Sequence, residues 1–327
     1  MNKKIGIVGS GSWGVALSIA FSKTQNKITI FFNSRRSLQK INDKRESKHL
    51  PNTVIPKNVG FSLNHKEISK CDYIFLVVPS QTLRKNLEIL KKNNVRNKNF
   101  IICCKGIEKI SNKLMSEVVS ETFENSKISV LSGPNFAQEV AKSLPTAYVL
   151  SSKDRVYLKS LGKTISSPDF RPYFNNDIIG TQVGGIMKNI IAIACGIVMG
   201  KKYGENAKSS ILTRGLKEMI MLGKAMGAKE ETFYGLSGIG DLSLSCNSMN
   251  SRNTNLGVKL GQGMRLKEIL QEKILSEGLN SCDSICQIAS KLKIDVPICY
   301  AVKNILDGRS INNIIFKLLS RPNQYEN

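Results

Sequence analysis

Two histidines among 327 residues leave little material for histidine-based acid–base chemistry, and both, His49 and His65, fall in one loop-rich stretch before Cys71. The eight cysteines include no CxxC pair and no Cys/His spacing of the zinc type. Cys103 and Cys104, adjacent in a strand, would face opposite sides, so reduced and mostly buried thiols are expected and no metal is. The longest apolar run, Ile190 to Met199, falls short of the roughly 20 residues that span a bilayer. With Lys188 and Lys201 at its ends it reads as a buried helix, without stable membrane insertion. No charged, Ser-rich leader precedes the first strand, which points to the cytoplasm. Internal repeats and low-complexity linkers are missing as well.

Acidic residues are scarce beside basic ones, 25 against 48, giving a net charge of +23. Such an excess suits nucleic acid, anionic lipid or a small anionic ligand. Much of it lies in stretches such as KKNNVRNKN (Lys91 to Asn99), where a coding bias toward Lys and Asn has the same appearance. No recognition helix, RNA-binding aromatic signature or basic stripe with interleaved aromatics accompanies it. The reading is therefore a globule with no nucleic-acid partner and a local cationic surplus at its ligand sites. With 41% hydrophobic and 22% charged residues, the chain has the balance of a folded protein. Its length suits two packed domains.

Short β-rich runs alternate with helical segments through the first half: Lys4 to Val8, Ile28 to Phe32, Tyr73 to Val78, Phe100 to Cys104, Ile128 to Leu131 and Ala147 to Leu150. Alternation of this kind predicts a doubly wound parallel sheet with helical crossovers. YIFLVV and FIICC, apolar at nearly every position, are its central strands. Beyond about Ile178 the period becomes helical. The expected fold is thus α/β, a Rossmann-type domain over 1–178 followed by an all-α domain over 179–327.

IGIVGSGSWGVAL places Gly9, Gly11 and Gly14 in a GxGxxG pattern at the first strand-to-helix junction, with Ser10, Ser12 and Trp13 between them. The first glycine permits the tight turn, the second lets backbone approach a pyrophosphate, and the third lets the helix pack closely on the sheet. A dinucleotide is implied by position more than by the motif, which also occurs in plain structural turns. No acid follows the second strand to meet the ribose hydroxyls of NAD. Asn33, Ser34, Arg35 and Arg36 stand there instead, and two guanidinium groups can pair with a 2′-phosphate. NADP or NAD is expected, with NADPH favoured; the alternative is that these arginines form a solvated turn.

Ligands of open α/β sheets collect beyond the carboxyl ends of the strands. There the chain reads VVPSQ, CCKGI with Lys105, and LSGPNFAQEVA with Gly133, Asn135 and Ala137. In GGIMKNIIAI, Lys188 sits in an apolar helical stretch, where an unpaired buried ammonium is costly. It must snorkel outward or face a polar cavity, and the neighbouring glycines favour the cavity. Burial and a second cation such as Lys105 would lower its pKa toward the range of an acid/base catalyst. GLSGIGDLSLSC places Asp241 in a glycine-rich turn, and NSRNTNLG presents Ser251, Arg252 and Asn253 together, a set suited to phosphate. Each cluster taken alone can be an ordinary turn.

Taken in order, GSGSWG, VVPSQ, CCKGIE, SGPNFAQEVA, GGIMKNIIAIACGI, LTRGLKEM, GLSGIGDL and SRNTNLG resemble the bacterial NAD(P)-dependent glycerol-3-phosphate dehydrogenases over nearly the whole chain. That resemblance implies interconversion of sn-glycerol 3-phosphate and dihydroxyacetone phosphate, serving glycerophospholipid synthesis. By position it implies cofactor contacts at Ser12, Trp13, Arg35, Lys105, Ala137, Arg252, Leu275 and Glu277. Substrate contacts fall at Lys105, Gly133, Asn135, Asp241, Ser251, Arg252 and Asn253, and Lys188 matches the proton acceptor/donor. Three positions depart from the family's usual pattern: Asn135 for Ser, Gln182 for Glu and Ser245 for Thr. The expected partner is a small phosphorylated three-carbon substrate, and a homodimer is compatible with this picture. The competing readings are another two-domain dehydrogenase of the ketopantoate reductase or hydroxyacyl type, or a nucleotide-binding protein without chemistry.

Overall fold

The computed structural model describes residues 2–41, 43–272 and 275–320. In chain order its elements are β1 (Lys4–Val8), α1 (Ser12–Phe21), β2 (Lys27–Phe31), α2 (Arg35–Leu38), β3 (Glu46–Ser47), β4 (Leu50–Val54), β5 (Val59–Ser62), β6 (Tyr73–Leu76), α3 (Leu83–Lys92), β7 (Asn99–Ile102), α4 (Met115–Thr122), β8 (Lys127–Ser132), α5 (Ala137–Ala141), β9 (Thr146–Ser151), α6 (Arg155–Ile165) and β10 (Phe170–Asn175). The helical part follows: α7 (Ile178–Gly200), α8 (Gly204–Ala225), α9 (Asp241–Cys246), α10 (Arg252–Gly261), α11 (Leu266–Gln271), α12 (Glu277–Lys291), α13 (Pro297–Leu306) and α14 (Ile311–Leu319).

Eight strands form one sheet in the order β10-β9-β8-β7-β6-β1-β2-β5. Strands β1, β2, β6, β7 and β8 alternate between two cores. In β6, Tyr73 and Phe75 enter one apolar cluster with α1, while Ile74 and Leu76 enter the other with α3 and α4. This is the double covering that the continuous apolar runs predict.

All six expected strands are present, with two differences in the sheet. β8 and β9 pair antiparallel, so the sheet is mixed and the carboxyl ends of β9 and β10 point away from those of the other six strands. Two edge strands, β5 and β10, were also not expected. They are largely exposed or half-buried, with Gly60 in one and Pro172 in the other, so neither carries the apolar run of a central strand. The β3–β4 hairpin lies apart from the main sheet.

Asp177 opens the helical part by capping α7: its Oδ1 accepts from the Gly180 N–H at 2.8 Å, and its Oδ2 accepts from the Lys229 N–H and the Thr232 hydroxyl, each at 2.8 Å. By length and apolarity α7 is a helix that can cross a bilayer, but 83% of its most apolar window is buried inside the protein. It is the axis on which α8, α9, α10 and α12 pack.

The contact of α7 with α10 runs through two pairs of glycines four residues apart. A Cβ on Gly196 would lie 2.2 Å from the Thr254 carbonyl oxygen, and one on Gly257 would lie 2.1 Å from that of Ile193. Gly200 and Gly261 repeat the contact one turn on. The backbones meet because no side chain separates them, and the start of α10 is thereby held beside the middle of α7. All eight cysteines are free, seven of them buried, and Cys103 and Cys104 serve the two different cores.

Candidate active site

At the glycine turn each position has its own geometric demand. Gly9 adopts φ +119°, and a Cβ there would lie 2.5 Å from the Val77 carbonyl oxygen. A Cβ on Gly14 would lie 2.0 Å from the Gly9 carbonyl oxygen. Around Gly11 there is open space. Gly11 is also the N-cap of α1, with no side chain capping the helix and no acid in its first turn. The first N–H groups of α1, at Ser12 and Trp13, have no intrahelical partner and stand beside Gly11, which nothing covers. This is the shape and polarity that a pyrophosphate requires, so the residues present fit a bound dinucleotide. Ser10 lies between Gly9 and Gly11, and Trp13 packs partly buried on the sheet core.

Beyond β2, Asn33 donates to Asn86 at 2.9 Å, and Ser34 caps α2 by accepting from the Ser37 N–H at 3.2 Å. Arg35 and Arg36 then stand exposed on the first turn of α2. Neither side chain has a partner among the described residues, and neither reaches the lysine cluster.

The two lysines expected to cooperate do meet. Two adjacent glycines of α7 explain how. Gly184 receives the Ser237 carbonyl oxygen, 2.3 Å from where a Cβ would sit, and Gly185 receives the stem of Lys105, with Cγ at 3.4 Å. The first contact seats the tight turn Leu236–Gly240 on α7, one helical turn before Lys188, and Asp241 follows as the first residue of α9. Asp241 then accepts from both ammonium groups: Lys105 Nζ lies 2.5 Å from Oδ2 and Lys188 Nζ 3.1 Å from Oδ1. Lys105 also donates to the Gly133 carbonyl oxygen at 2.9 Å, and Lys188 to the Ser245 hydroxyl at 2.8 Å. Gly133 holds φ +122°, which turns its carbonyl toward the lysine.

Burial dominates the electrostatics. The Lys188 side chain is only 11% exposed. Desolvation pulls its pKa down, the Asp241 carboxylate pulls it back up, and the Lys105 charge lowers it again, with a net fall. For Asp241 burial pushes upward, but the two ammonium groups outweigh it and hold the carboxyl below its usual range. The cluster is thus two cations on one carboxylate with an excess positive charge, one of the cations being easier to deprotonate than a free lysine.

Asn135 follows Gly133 by two residues. Its Nδ2 donates to the Ala147 carbonyl at 3.1 Å, while its buried Oδ1 has no partner. Ala137 begins α5 and is partly buried against the sheet core. Ser251 caps α10, accepting from the Thr254 N–H at 3.3 Å.

The Asn253 side chain is turned inward. Its Nδ2 donates to Asn189 at 2.7 Å, and its Oδ1 accepts from the Ser276 hydroxyl at 2.7 Å and the Gly278 N–H at 3.1 Å. What Asn253 offers outward is the N–H of the first helical turn. Arg252 is reached by solvent yet walled by protein, so desolvation lowers its pKa while the nearby Glu277 carboxylate raises it. Glu277 itself spans the two halves of the molecule, accepting from the Ser80 N–H at 3.0 Å and the Ser80 hydroxyl at 2.5 Å. Gly106 has no room for a Cβ between Ser80 and Glu277. Leu275 stands exposed just before α12.

Ser80, Asn189 and the paired glycines of α7 and α10 were not anticipated as parts of this arrangement. The small-xxx-small spacing of Gly196 with Gly200 and Gly257 with Gly261 is the signal that marks the last of them.

The model of the NAD-dependent glycerol-3-phosphate dehydrogenase N-terminus matches residues 4–157, and that of the C-terminus matches residues 177–316. The chain belongs to the NAD-dependent glycerol-3-phosphate dehydrogenase family. Among curated relatives, the glycerol-3-phosphate dehydrogenase [NAD(P)+] of Zymomonas mobilis is 38% identical over 97% of this chain and 93% of its own length. That of Parvibaculum lavamentivorans is 39% identical over 98% and 97%. The crystal structure of the Coxiella burnetii glycerol-3-phosphate dehydrogenase superposes with a TM-score of 0.93 at 33% identity, covering 98% of this chain and 99% of that one.

The three departures from the family's usual residues can now be placed. Ser245 supplies the hydroxyl that Lys188 uses. Asn135 brings the unpartnered oxygen. Gln182 accepts from the Ser116 N–H at 3.0 Å and donates to the Ser116 hydroxyl at 2.8 Å, so it ties α4 to α7 and takes no part in the lysine cluster.

Proposed function

We propose that this member of the glycerol-3-phosphate dehydrogenase family reduces dihydroxyacetone phosphate to sn-glycerol 3-phosphate, working in that direction to supply glycerophospholipid synthesis. One observation carries the reading: Lys188 and Lys105 converge on Asp241 beyond the carboxyl ends of β7 and β8. When bound, the reduced nicotinamide supplies the hydride. Lys188, as its ammonium, gives a proton to the carbonyl oxygen, and its lowered pKa suits that transfer. Lys105 stabilises the charge developing on that oxygen. Asp241 is a positioning residue that holds both ammonium groups at fixed separation, and Ser245 fixes the Lys188 rotamer.

The phosphate sits at the start of α10, on Arg252 and the N–H groups after Ser251, converting remote binding energy into orientation of the carbonyl. Asn135 Oδ1, buried and unpartnered, accepts from a substrate hydroxyl. Gly9, Ser10, Gly11, Ser12, Trp13 and Gly14 hold the cofactor's pyrophosphate, Arg35 and Arg36 favour NADPH through its 2′-phosphate, and Ala137, Leu275 and Glu277 lie along the cofactor. The division at residue 178 into a cofactor domain and a substrate domain follows from this placement. The enzyme works in the cytoplasm without nucleic-acid partners or stable membrane insertion, and a homodimer is its proposed assembly.

The test is nicotinamide absorbance with dihydroxyacetone phosphate and, separately, ketopantoate, each with NADH and NADPH. Turnover of the first substrate alone, with higher kcat/KM for NADPH, is expected. Turnover of ketopantoate alone would overturn the reading.

A further inference from the structure

The reversal between β8 and β9 has a consequence for ligands. β9, α6 and β10 form a parallel strand–helix–strand unit, and such units collect ligands beyond their carboxyl ends. Because this unit runs against β8, its carboxyl end faces the opposite edge of the sheet from the glycine turn and Lys105.

An open cleft of about 450 Å³ lies there, a size that takes a small molecule. Arg155 and Lys159 enter it from successive turns of α6, Lys229 from the segment after α8, and Phe174 from the end of β10. One carboxylate, Glu231, faces these three cations. Arg155 and Lys159 have no side-chain partner among the described residues, while Lys229 donates to the Asn176 side chain at 3.0 Å. Spaced four residues apart, the two α6 cations share a helix face, and three cations against one carboxylate around a concavity suit a phosphate group.

The cleft is separate from the reacting centre. Asp177 caps α7 at this end, and Lys188 lies 11 residues further on, roughly 16 Å along the helix axis.

We propose that this cleft is a further anion site, binding a small molecule that carries a phosphate or linked phosphates. Pyrophosphate in metal-free buffer is the probe, titrated calorimetrically into protein saturated with NADP+ and dihydroxyacetone phosphate. Both of those are oxidised, so no turnover occurs and the anion positions at α1 and α10 are filled. One equivalent of pyrophosphate binds the wild type, and Arg155→Gln/Lys159→Gln weakens it by about tenfold or more with kcat unchanged. Arg252→Gln, tested in parallel, retains the binding. No binding to the saturated protein, equal affinity in the α6 double variant, or loss of binding in Arg252→Gln instead would each overturn the proposal.

Discussion

Replacing Lys105 with Met tests how the lysine pair is tuned. Both ammonium groups rest on the two oxygens of one carboxylate, so they stand about 5 Å apart. At an effective dielectric of about 20 their repulsion is about 3 kcal/mol. Burial lowers the Lys188 pKa first, and the Lys105 charge adds to that lowering. Removing the charge therefore raises the Lys188 pKa, while Asp241 keeps Lys188 as its partner and the turn stays seated on Gly184.

Reduction needs the ammonium form, so its rate falls as pH rises through the Lys188 pKa. Lys105→Met should move that alkaline limb of kcat/KM upward, because the charge that lowers the Lys188 pKa is gone. It should also lower kcat by roughly 10²-fold or more, the cost of one oxyanion-stabilising group. The assay is initial-rate reduction of dihydroxyacetone phosphate across pH for both proteins. A limb that stays in place or moves to lower pH would refute the reasoning.

Three further outcomes follow from the geometry. Gly257→Ala puts a methyl 2.1 Å from the Ile193 carbonyl oxygen, a backbone atom that cannot step aside. Melting and steady-state measurements should show about 2 kcal/mol lost and a KM for dihydroxyacetone phosphate that rises more than that for the cofactor. Glu218 is buried between α8 and α13, accepting from the Ile298 and Cys299 N–H groups at 2.6 and 3.2 Å, and burial pushes its pKa up to about 7. With its folded pKa above the unfolded one, its stabilising contribution is full below about pH 4.3 and lost as pH rises through 7, about 4 kcal/mol in all. Calorimetric Tm values at pH 5 and pH 8 should therefore differ less in Glu218→Gln than in the wild type, and parallel pH profiles would contradict this. Arg35→Ala/Arg36→Ala should lower kcat/KM for NADPH by about tenfold while sparing NADH, since only NADPH carries the 2′-phosphate; an unchanged ratio returns these arginines to a solvated turn.

Much of this was legible in the chain because the chemistry is local. A glycine pattern between an apolar strand and a helix states its own geometry, and a lysine in an apolar helix demands a polar neighbour, which Asp241 and Ser245 supply. The direction of β9 was not legible, since a strand reads the same in either pairing sense. β10 hid behind Pro172 and exposed aromatics, as edge strands do. Asn253 looked like a ligand residue beside Arg252, but its side chain closes a buried network with Asn189, Ser276 and Gly278, partners that sequence separation conceals. Gln182, one of the three departures from the family's usual pattern, is a clasp on Ser116. The glycines of α7 and α10 carry a visible spacing, yet only the fold shows which two helices they join.

In the proposed reaction Lys188 is the group that moves the proton. Lys188→Ala, measured for turnover of dihydroxyacetone phosphate and, by nicotinamide fluorescence, for cofactor affinity, tests it most directly. Turnover should fall by roughly 10³-fold or more while the cofactor Kd stays within about twofold. Turnover near that of the wild type would contradict the account.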